Sequence, residues 1–249
     1  NNLPWLSKNY NLKIFMYLEK DVSFYSSKYP YLKNFFRKYN FNIFNIDQFI
    51  NEKKAKDIYS RRILSSFIHH AEDNLKNNAT SINIPVDFVY PNNYLKNFAS
   101  IIHGKPFCYS HSHIRVNPKV KKSLIKFKKE NILNISNKNL IKIGFENLFN
   151  NFKYQNDKLK SNLTHSGYSW RKIDDGIYSI VPGVLGPIAY NYIPEDIKYF
   201  KNLSSWTMQD RQIPNYYLSL KRMKCVASSD LLTSLEITYV NKKEFQKPI

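Results

Sequence analysis

The sequence predicts an α+β fold, with a helix-rich part over residues 1–160 and an antiparallel, β-rich part over residues 161–249. Beyond about residue 160, short apolar runs alternate with turn residues, and 170–173 and 177–181 predict a hairpin around Asp174-Asp175-Gly176. The two parts are either separate domains or one continuous domain. In the first part, apolar residues recur at steps of four to five, the spacing of one buried helix face, at Ile58, Ile63, Phe67, Ala71 and Leu75.

Three helices are predicted before residue 80. Apolar residues over 12–18 indicate a short helix. A second helix covers 30–39, where Pro30 is favourable because the first helical turn needs no backbone donor at that position. The third and longest takes Asp47 as its N-cap and ends at Asn77-Asn78.

Two strands flank a helix in the next stretch. Side chains over 81–90 alternate between apolar and polar, which indicates a strand, and Pro85 favours an edge position. A helix over 93–103 ends at Gly104, because glycine adopts the left-handed conformation of a helix C-terminus. Residues 107–116 predict a second strand.

The remaining elements follow from caps and turns. Asn117-Pro118 begins a helix that reaches Glu130, and Pro194 begins another. The rest of the prediction is a helix over 146–152 and strands over 216–226 and 232–240.

Positive charge dominates the composition. The chain has 38 Lys and Arg against 19 Asp and Glu, which gives a net charge of +19, and 7 of the 38 are Arg, so 31 are Lys. This excess favours a polyanionic partner, and phosphate neutralisation is its commonest use. Lysine contacts phosphate as a point charge, whereas base reading favours the arginine fork, so the composition predicts contact with an RNA backbone. An AT-rich genome would also enrich Lys and the 30 Asn residues, so codon drift is an alternative source for part of the excess.

Three basic clusters are the candidate RNA-binding sites. The densest lies on the helix 118–130, where apolar stems let ammonium groups reach phosphates, and its alternative role is a solvated helix face. A second is Arg61-Arg62. The third lies on the strand 216–226 beside Tyr216 and Tyr217, where rings and cations could stack bases, although tyrosines at this spacing also suit a core. The candidate residues are Lys119, Lys121, Lys122, Lys126, Lys128, Lys129, Arg61, Arg62, Lys221, Arg222 and Lys224.

Cys108, His111 and His113 form a weak candidate for a metal site. Cys-x-x-His-x-His contains residue types that zinc accepts. On a strand, however, His111 and His113 share one face while Cys108 points to the other, and no acidic cluster adjoins them. We therefore expect no metal and no cofactor, and we expect these histidines on the surface of an RNA-facing strand.

The sequence contains no Walker A loop, no G-x-S-x-G and no H-E-x-x-H motif, which favours a protein that is not an enzyme. We hypothesise a structural RNA-binding protein, an rRNA-contacting subunit of a mitochondrial ribosome with neighbouring proteins as further partners. The start at Asn1 in place of Met fits a removed leader. No apolar run approaches the ~20 residues of a membrane helix. Two alternatives stay open: a nuclease or modification enzyme that uses His111 and His113, and a subunit of a membrane-associated organellar complex.

Overall fold

A computed structural model describes residues 2–39, 41–49, 58–85, 88–111, 113–129, 132–148, 169–173, 176–180, 188–203, 212–226 and 232–237. Within them, helices are mixed with several small sheets, which confirms the α+β class. The chain forms two compact units: unit 1 contains residues 1–3, 82–190 and 213–249, and unit 2 contains residues 4–81 and 191–212. The predicted boundary near residue 160 lies outside the described residues and stays a prediction.

Helices and strands are interspersed along the described part of the chain. The helices are α1 (Asn2–Asn9), α2 (Val22–Lys28), α3 (Pro30–Lys38), α4 (Ile58–Lys76), α5 (Tyr94–Ile102), α6 (Val120–Leu124), α7 (Asn137–Glu146), α8 (Pro194–Lys201) and α9 (Gln212–Ser219). The strands are β1 (Ile14–Leu18), β2 (Phe41–Asn45), β3 (Ser81–Asn83), β4 (Phe88–Val89), β5 (Cys108–His111), β6 (Ile114–Val116), β7 (Lys128–Lys129), β8 (Ile132–Leu133), β9 (Ser169–Ile173), β10 (Gly176–Ile180), β11 (Ile188–Tyr190), β12 (Met223–Val226) and β13 (Leu235–Ile237).

Unit 2 contains a pair of parallel strands. β1 and β2 pair from Ile14 opposite Phe41 to Leu18 opposite Asn45. The prediction of a helix over 12–18 is therefore wrong. All five side chains of β1 are partly buried, and an apolar run enclosed on both faces is typical of a parallel strand. The helix predicted from Pro30 is confirmed as α3, with the proline in its first turn.

The long helix α4 buries one face in unit 2, and this face contains Leu64, Phe67 and Ala71. Phe67 contacts Phe200 of α8 at 5.5 Å between ring centroids. The predicted N-cap role of Asp47 is wrong, because Asp47 lies in a separate 3₁₀ turn, Ile46–Phe49, and α4 begins at Ile58.

Unit 1 contains a four-stranded sheet of order β12-β5-β11-β3, a three-stranded sheet of order β4-β13-β6 and the hairpins β7-β8 and β9-β10. The pairing of β9 with β10 confirms the predicted hairpin, with Gly176 opposite Ile173. In contrast, β12 lies parallel to β5 and β13 lies parallel to β6. Strands that are more than 100 residues apart in the chain therefore share sheets, as the pairing of Leu235 with Ile114 shows.

Two predicted strands are each divided in the structure. The stretch 81–90 forms β3 and β4, with Pro85 between them. The stretch 107–116 forms β5 and β6, which belong to different sheets. The helix between them is confirmed as α5, and Gly104 after it has the expected positive φ of 67°.

Two further predictions of secondary structure are wrong in the residues that the structure describes. Where a helix was expected over 146–152, α7 ends at Glu146 and the next two residues are not helical, while 149–152 lie outside the described residues. The helix α7 begins after Ser136, whose Oγ accepts a hydrogen bond from the Asn139 amide at 3.3 Å. The strand expected over 216–226 begins only at Met223, and the preceding residues form α9. Pro194 begins α8 as predicted, and β13 lies within the strand expected over 232–240. Within the described part of the chain, no helix has both the length and the apolar character needed to span a membrane.

Candidate nucleic-acid interface

Six exposed lysines on one segment of unit 1 form what we call the basic surface. The segment is anchored by α6, which buries Val120 and Leu124 at 0% and 7% exposure. These two side chains pack in a core with Ile135 and with residues of α7, β6 and β13. The anchors hold the backbone while the lysine stems extend outward. The basic surface consists of Lys119, Lys121, Lys122, Lys126, Lys128 and Lys129.

Asn117 fixes the start of this segment. Its Oδ1 accepts a hydrogen bond from the Lys119 amide at 2.9 Å, and its Nδ2 donates to the Asn147 carbonyl at 3.0 Å. The Asn117 amide also donates to the Asn147 carbonyl, at 3.1 Å. The segment is therefore tied to the end of α7 before its first lysine. The predicted helix start at Asn117-Pro118 is wrong, because α6 begins at Val120 and its N-cap is Lys119. Asn117 instead forms a turn through its side chain just before the helix.

The predicted single helix over 118–130 is wrong in its second half. The α-helix ends at Leu124, a 3₁₀ turn covers Ile125–Phe127, and Lys128 and Lys129 lie on β7. These two lysines lie opposite Leu133 and Ile132 of β8. Phe127 and Leu133 both pack against the core, so the chain that folds back contributes apolar contacts on both sides of the turn.

Most lysines of the basic surface have no acidic partner among the residues that the structure describes. Within the described residues, Lys119, Lys122, Lys126, Lys128 and Lys129 form no ion pair. The helix α7, which packs against α6, adds the exposed Lys138 and Lys142. Sequence reasoning missed these two, although their spacing of four residues on a helix would have indicated a shared face.

The second predicted cluster, Arg61-Arg62, is partly buried in unit 2. The Arg62 guanidinium donates to both carboxylate oxygens of Asp47, at 2.7 and 3.0 Å, and to Glu19 at 2.8 Å. These hydrogen bonds, chiefly the one to Asp47, raise the pKa of Arg62. Its positive charge is therefore compensated by two carboxylates of unit 2, and we leave it out of the basic surface.

The third predicted cluster has its aromatic partners in a different place. Tyr216 and Tyr217 lie on α9, and Tyr217 has 0% exposure, so it belongs to the core, which the sequence left open as the alternative to base stacking. The Arg222 guanidinium lies 5.3 Å from the Tyr217 ring centroid, and the Lys224 ammonium lies 4.8 Å from that of Phe107. Lys221 is exposed and Lys224 extends from β12, so the cations flank rings that already belong to the core.

The expected surface position of the histidines is also wrong. His111 and His113 are 3% and 1% exposed. His111 ends β5, and its Nε2 lies 2.5 Å from the Tyr94 hydroxyl. His113 precedes β6 in the other sheet, so the two imidazoles face different partners. Cys108 is fully buried in β5.

The described residues therefore do not bring Cys108, His111 and His113 together as a metal site. Among these residues, no group of three His, Cys, Asp or Glu side chains could hold a metal ion.

His113 instead belongs to a buried ion cluster with Glu236 and Arg115. The Oε2 atom of Glu236 accepts hydrogen bonds from His113 Nε2 at 2.6 Å and from Arg115 Nε at 2.7 Å. Arg115 and Glu236 lie opposite each other on the paired strands β6 and β13. Burial raises the pKa of Glu236, but the hydrogen bonds and charges of its two partners outweigh burial, so the pKa is lowered overall.

The Phe88 ring covers this cluster, with its centroid 4.8 Å from that of His113. Within the described residues, His113 and Glu236 are a histidine and an acid in direct contact, but the imidazole is only 1% exposed. A reacting group needs access to substrate in a cleft, so the geometry assigns the pair to joining β6 with β13.

Comparison with known proteins adds no relative, since no protein-family model, no curated protein and no solved structure matches this chain.

Proposed function

We propose that the chain binds RNA through the basic surface, as a structural subunit that contacts rRNA in an organellar, mitochondrial ribosome. The observation that carries the proposal is a group of six exposed lysines on one anchored segment, five of which form no ion pair within the described residues. Each lysine that neutralises a phosphate releases a bound counterion, which favours binding at low salt. Because the group contains no arginine, we expect phosphate contact with little preference for sequence.

Two exposed isoleucines among the lysines support a surface that is covered in a larger assembly. Ile125 is 67% exposed and Ile132 is 57% exposed. Ile132 lies opposite Lys129 in the hairpin of β7 and β8. Apolar side chains with a charged rim are typical of surfaces that meet a partner, here RNA and neighbouring proteins. The RNA-binding part of the proposal is further supported by composition, namely a net charge of +19 carried mostly by lysine.

The experiment compares two triple variants with equal loss of charge. Lys121→Ala, Lys122→Ala and Lys126→Ala change the basic surface, and Lys8→Ala, Lys76→Ala and Lys198→Ala change exposed lysines of unit 2. Binding to a single-stranded RNA of about 20 nucleotides, which is long enough for one binding site, is measured by fluorescence anisotropy over a salt titration. Loss of three phosphate contacts should flatten the slope of log K against log salt by about 2, whatever the RNA sequence.

Three results would contradict the proposal. The first is no RNA binding by the unchanged protein at low salt. The second is an equal flattening in both triple variants, which would show that only total charge matters. The third is binding to vesicles that contain anionic lipid without binding to RNA, which would support the membrane-associated alternative.

A further inference from the structure

Unit 2 contains a second basic region, whose position the net charge of the whole chain does not indicate. Residues 20–38 include five cations and one acid, Asp21, so their net charge is 5 − 1 = +4. The helices α2 and α3 cover most of this stretch and are separated by Tyr29 alone. All five cations are exposed, and they are Lys20, Lys28, Lys33, Arg37 and Lys38.

A groove of about 570 Å³ lies between α2 and α3. The groove is largely open to solvent, so a group bound there would stay partly exposed. On α3 the lining residues are Lys33, Phe36 and Arg37, whose spacing of three and four places them on one helix face. On α2 the lining contains Val22 and three serines, Ser23, Ser26 and Ser27.

Some polar side chains that line the groove already form hydrogen bonds within the protein, and others do not. Ser23 Oγ donates to Asp21 Oδ1, and Ser27 Oγ donates to the Ser23 carbonyl, each at 2.7 Å. Within the described residues, the Ser26 hydroxyl has no hydrogen bond, and Lys33 and Arg37 have no ion pair.

Asp21 is the nearby acid, and it does not line the groove. Its Oδ1 accepts from the Phe24 amide at 2.8 Å, so it serves as the N-cap of α2. The Ser23 hydroxyl and the Phe24 amide, in that order, lower the pKa of Asp21.

We infer that the groove between α2 and α3 binds the phosphate of a nucleotide, with Lys33 and Arg37 on the phosphate oxygens and Ser26 donating a further hydrogen bond. Two cations and a hydroxyl donor in one concave site match the charge and the acceptor oxygens of a phosphate. Phe36 and Val22 provide an apolar wall for the ribose or base. The nucleotide is either part of an RNA strand or free. The inference is independent of the basic surface, because its residues belong to the other unit.

The chain offers a matched control for this site. Lys28 and Lys38 lie on the same two helices, are exposed and do not line the groove. The test variant is therefore Lys33→Ala with Arg37→Ala, and the control is Lys28→Ala with Lys38→Ala. Each variant removes two exposed positive charges, so the two variants have the same net charge. They differ only in whether the removed charges line the groove.

Titration calorimetry measures the binding of inorganic phosphate, uridine 5′-monophosphate and single-stranded RNA to the full chain and both variants. We expect uridine monophosphate to bind more tightly than phosphate, and the test variant to lose about tenfold or more in affinity while the control keeps it. Ser26→Ala should weaken binding by a smaller factor. A loss confined to RNA would identify a strand as the source of the nucleotide, and a loss confined to the monophosphate would identify free nucleotide.

The inference is overturned if none of the three probes loses affinity in the test variant, or if the control variant loses as much. The Lys121, Lys122 and Lys126 variant should bind uridine monophosphate normally. Failure of the basic surface to bind RNA would therefore leave the groove intact, and the two proposals fail separately.

Discussion

Replacement of Glu236 tests the buried ion cluster that joins β6 to β13. One carboxylate oxygen accepts from both His113 and Arg115, and the Glu236 side chain is 11% exposed. Glu236→Ala removes the acceptor and leaves two donors without their partner. Glu236→Gln keeps an oxygen of similar position but removes the negative charge.

The expected cost of Glu236→Ala is about 3 kcal/mol of unfolding free energy. Breaking a buried ion pair by removing one partner costs roughly 3–5 kcal/mol. The lower end of this range applies because the Arg115 side chain is 21% exposed, so water can replace part of its lost partner. The His113 side chain is 1% exposed and gains no such replacement. Glu236→Gln should cost about 1–2 kcal/mol, since its two hydrogen bonds, from His113 and Arg115, then reach a neutral acceptor in place of a charged one.

The assay is urea unfolding, with hydrogen exchange of the β6 and β13 amides as the probe, because these amides report on unit 1. With a slope of about 1–3 kcal/mol per molar urea, Glu236→Ala should lower the midpoint by at least about 1 M. Glu146→Gln, an exposed change on α7, is the control. A double-mutant cycle with Arg115→Ala should show coupling between the two residues. A cost below about 0.5 kcal/mol for Glu236→Ala would refute the reasoning, because it would place the change in the range of surface substitutions.

Acid should weaken the same cluster. The pKa of Glu236 lies below its ordinary value of 4.5 in the folded protein. Its contribution to stability is therefore complete above pH 4.5 and is lost as the pH falls through the folded-state pKa. The unfolding free energy of Glu236→Gln should vary less with pH in that interval.

Two further predictions concern packing and pH. Gly144→Ala should destabilise unit 1 by about 1 kcal/mol in urea unfolding, since its Cβ would lie 2.7 Å from Leu235 and 2.9 Å from Ile114, and overpacking outweighs the gain in helix propensity. Ile114→Val should recover part of that loss, and an unchanged or raised midpoint for Gly144→Ala would contradict the close approach. Burial lowers the pKa of His70 to about 4, so the unfolded chain takes up a proton between pH 6.5 and 4 that the folded chain does not. Unit 2 should therefore lose about 1–2 kcal/mol between pH 7.5 and 5, and His70→Gln should lose less; an equal loss in both proteins would contradict a neutral His70.

Local chemistry allowed several elements to be predicted. The helices α3 and α8 each begin at a proline, α5 is followed by Gly104, and β9 pairs with β10 as the turn residues indicated. In each case the determining groups lie within a few residues of the element, so no distant contact is needed. The strand β1 was missed because a five-residue apolar run suits a buried strand and a helix equally, and only its pairing with β2 decides between them.

The sequence by itself determined the α+β class and the concentration of lysine between Lys119 and Lys129, because both depend on composition and local spacing. Tertiary structure alone decided which polar groups are exposed. His113 meets Glu236 across 123 residues, and Arg62 meets Asp47 across 15, so two side chains predicted to face RNA are instead paired with carboxylates of the protein. The groove between α2 and α3 likewise depends on how two helices pack. Burial and charge pairing depend on contacts between distant segments, and no local pattern encodes them.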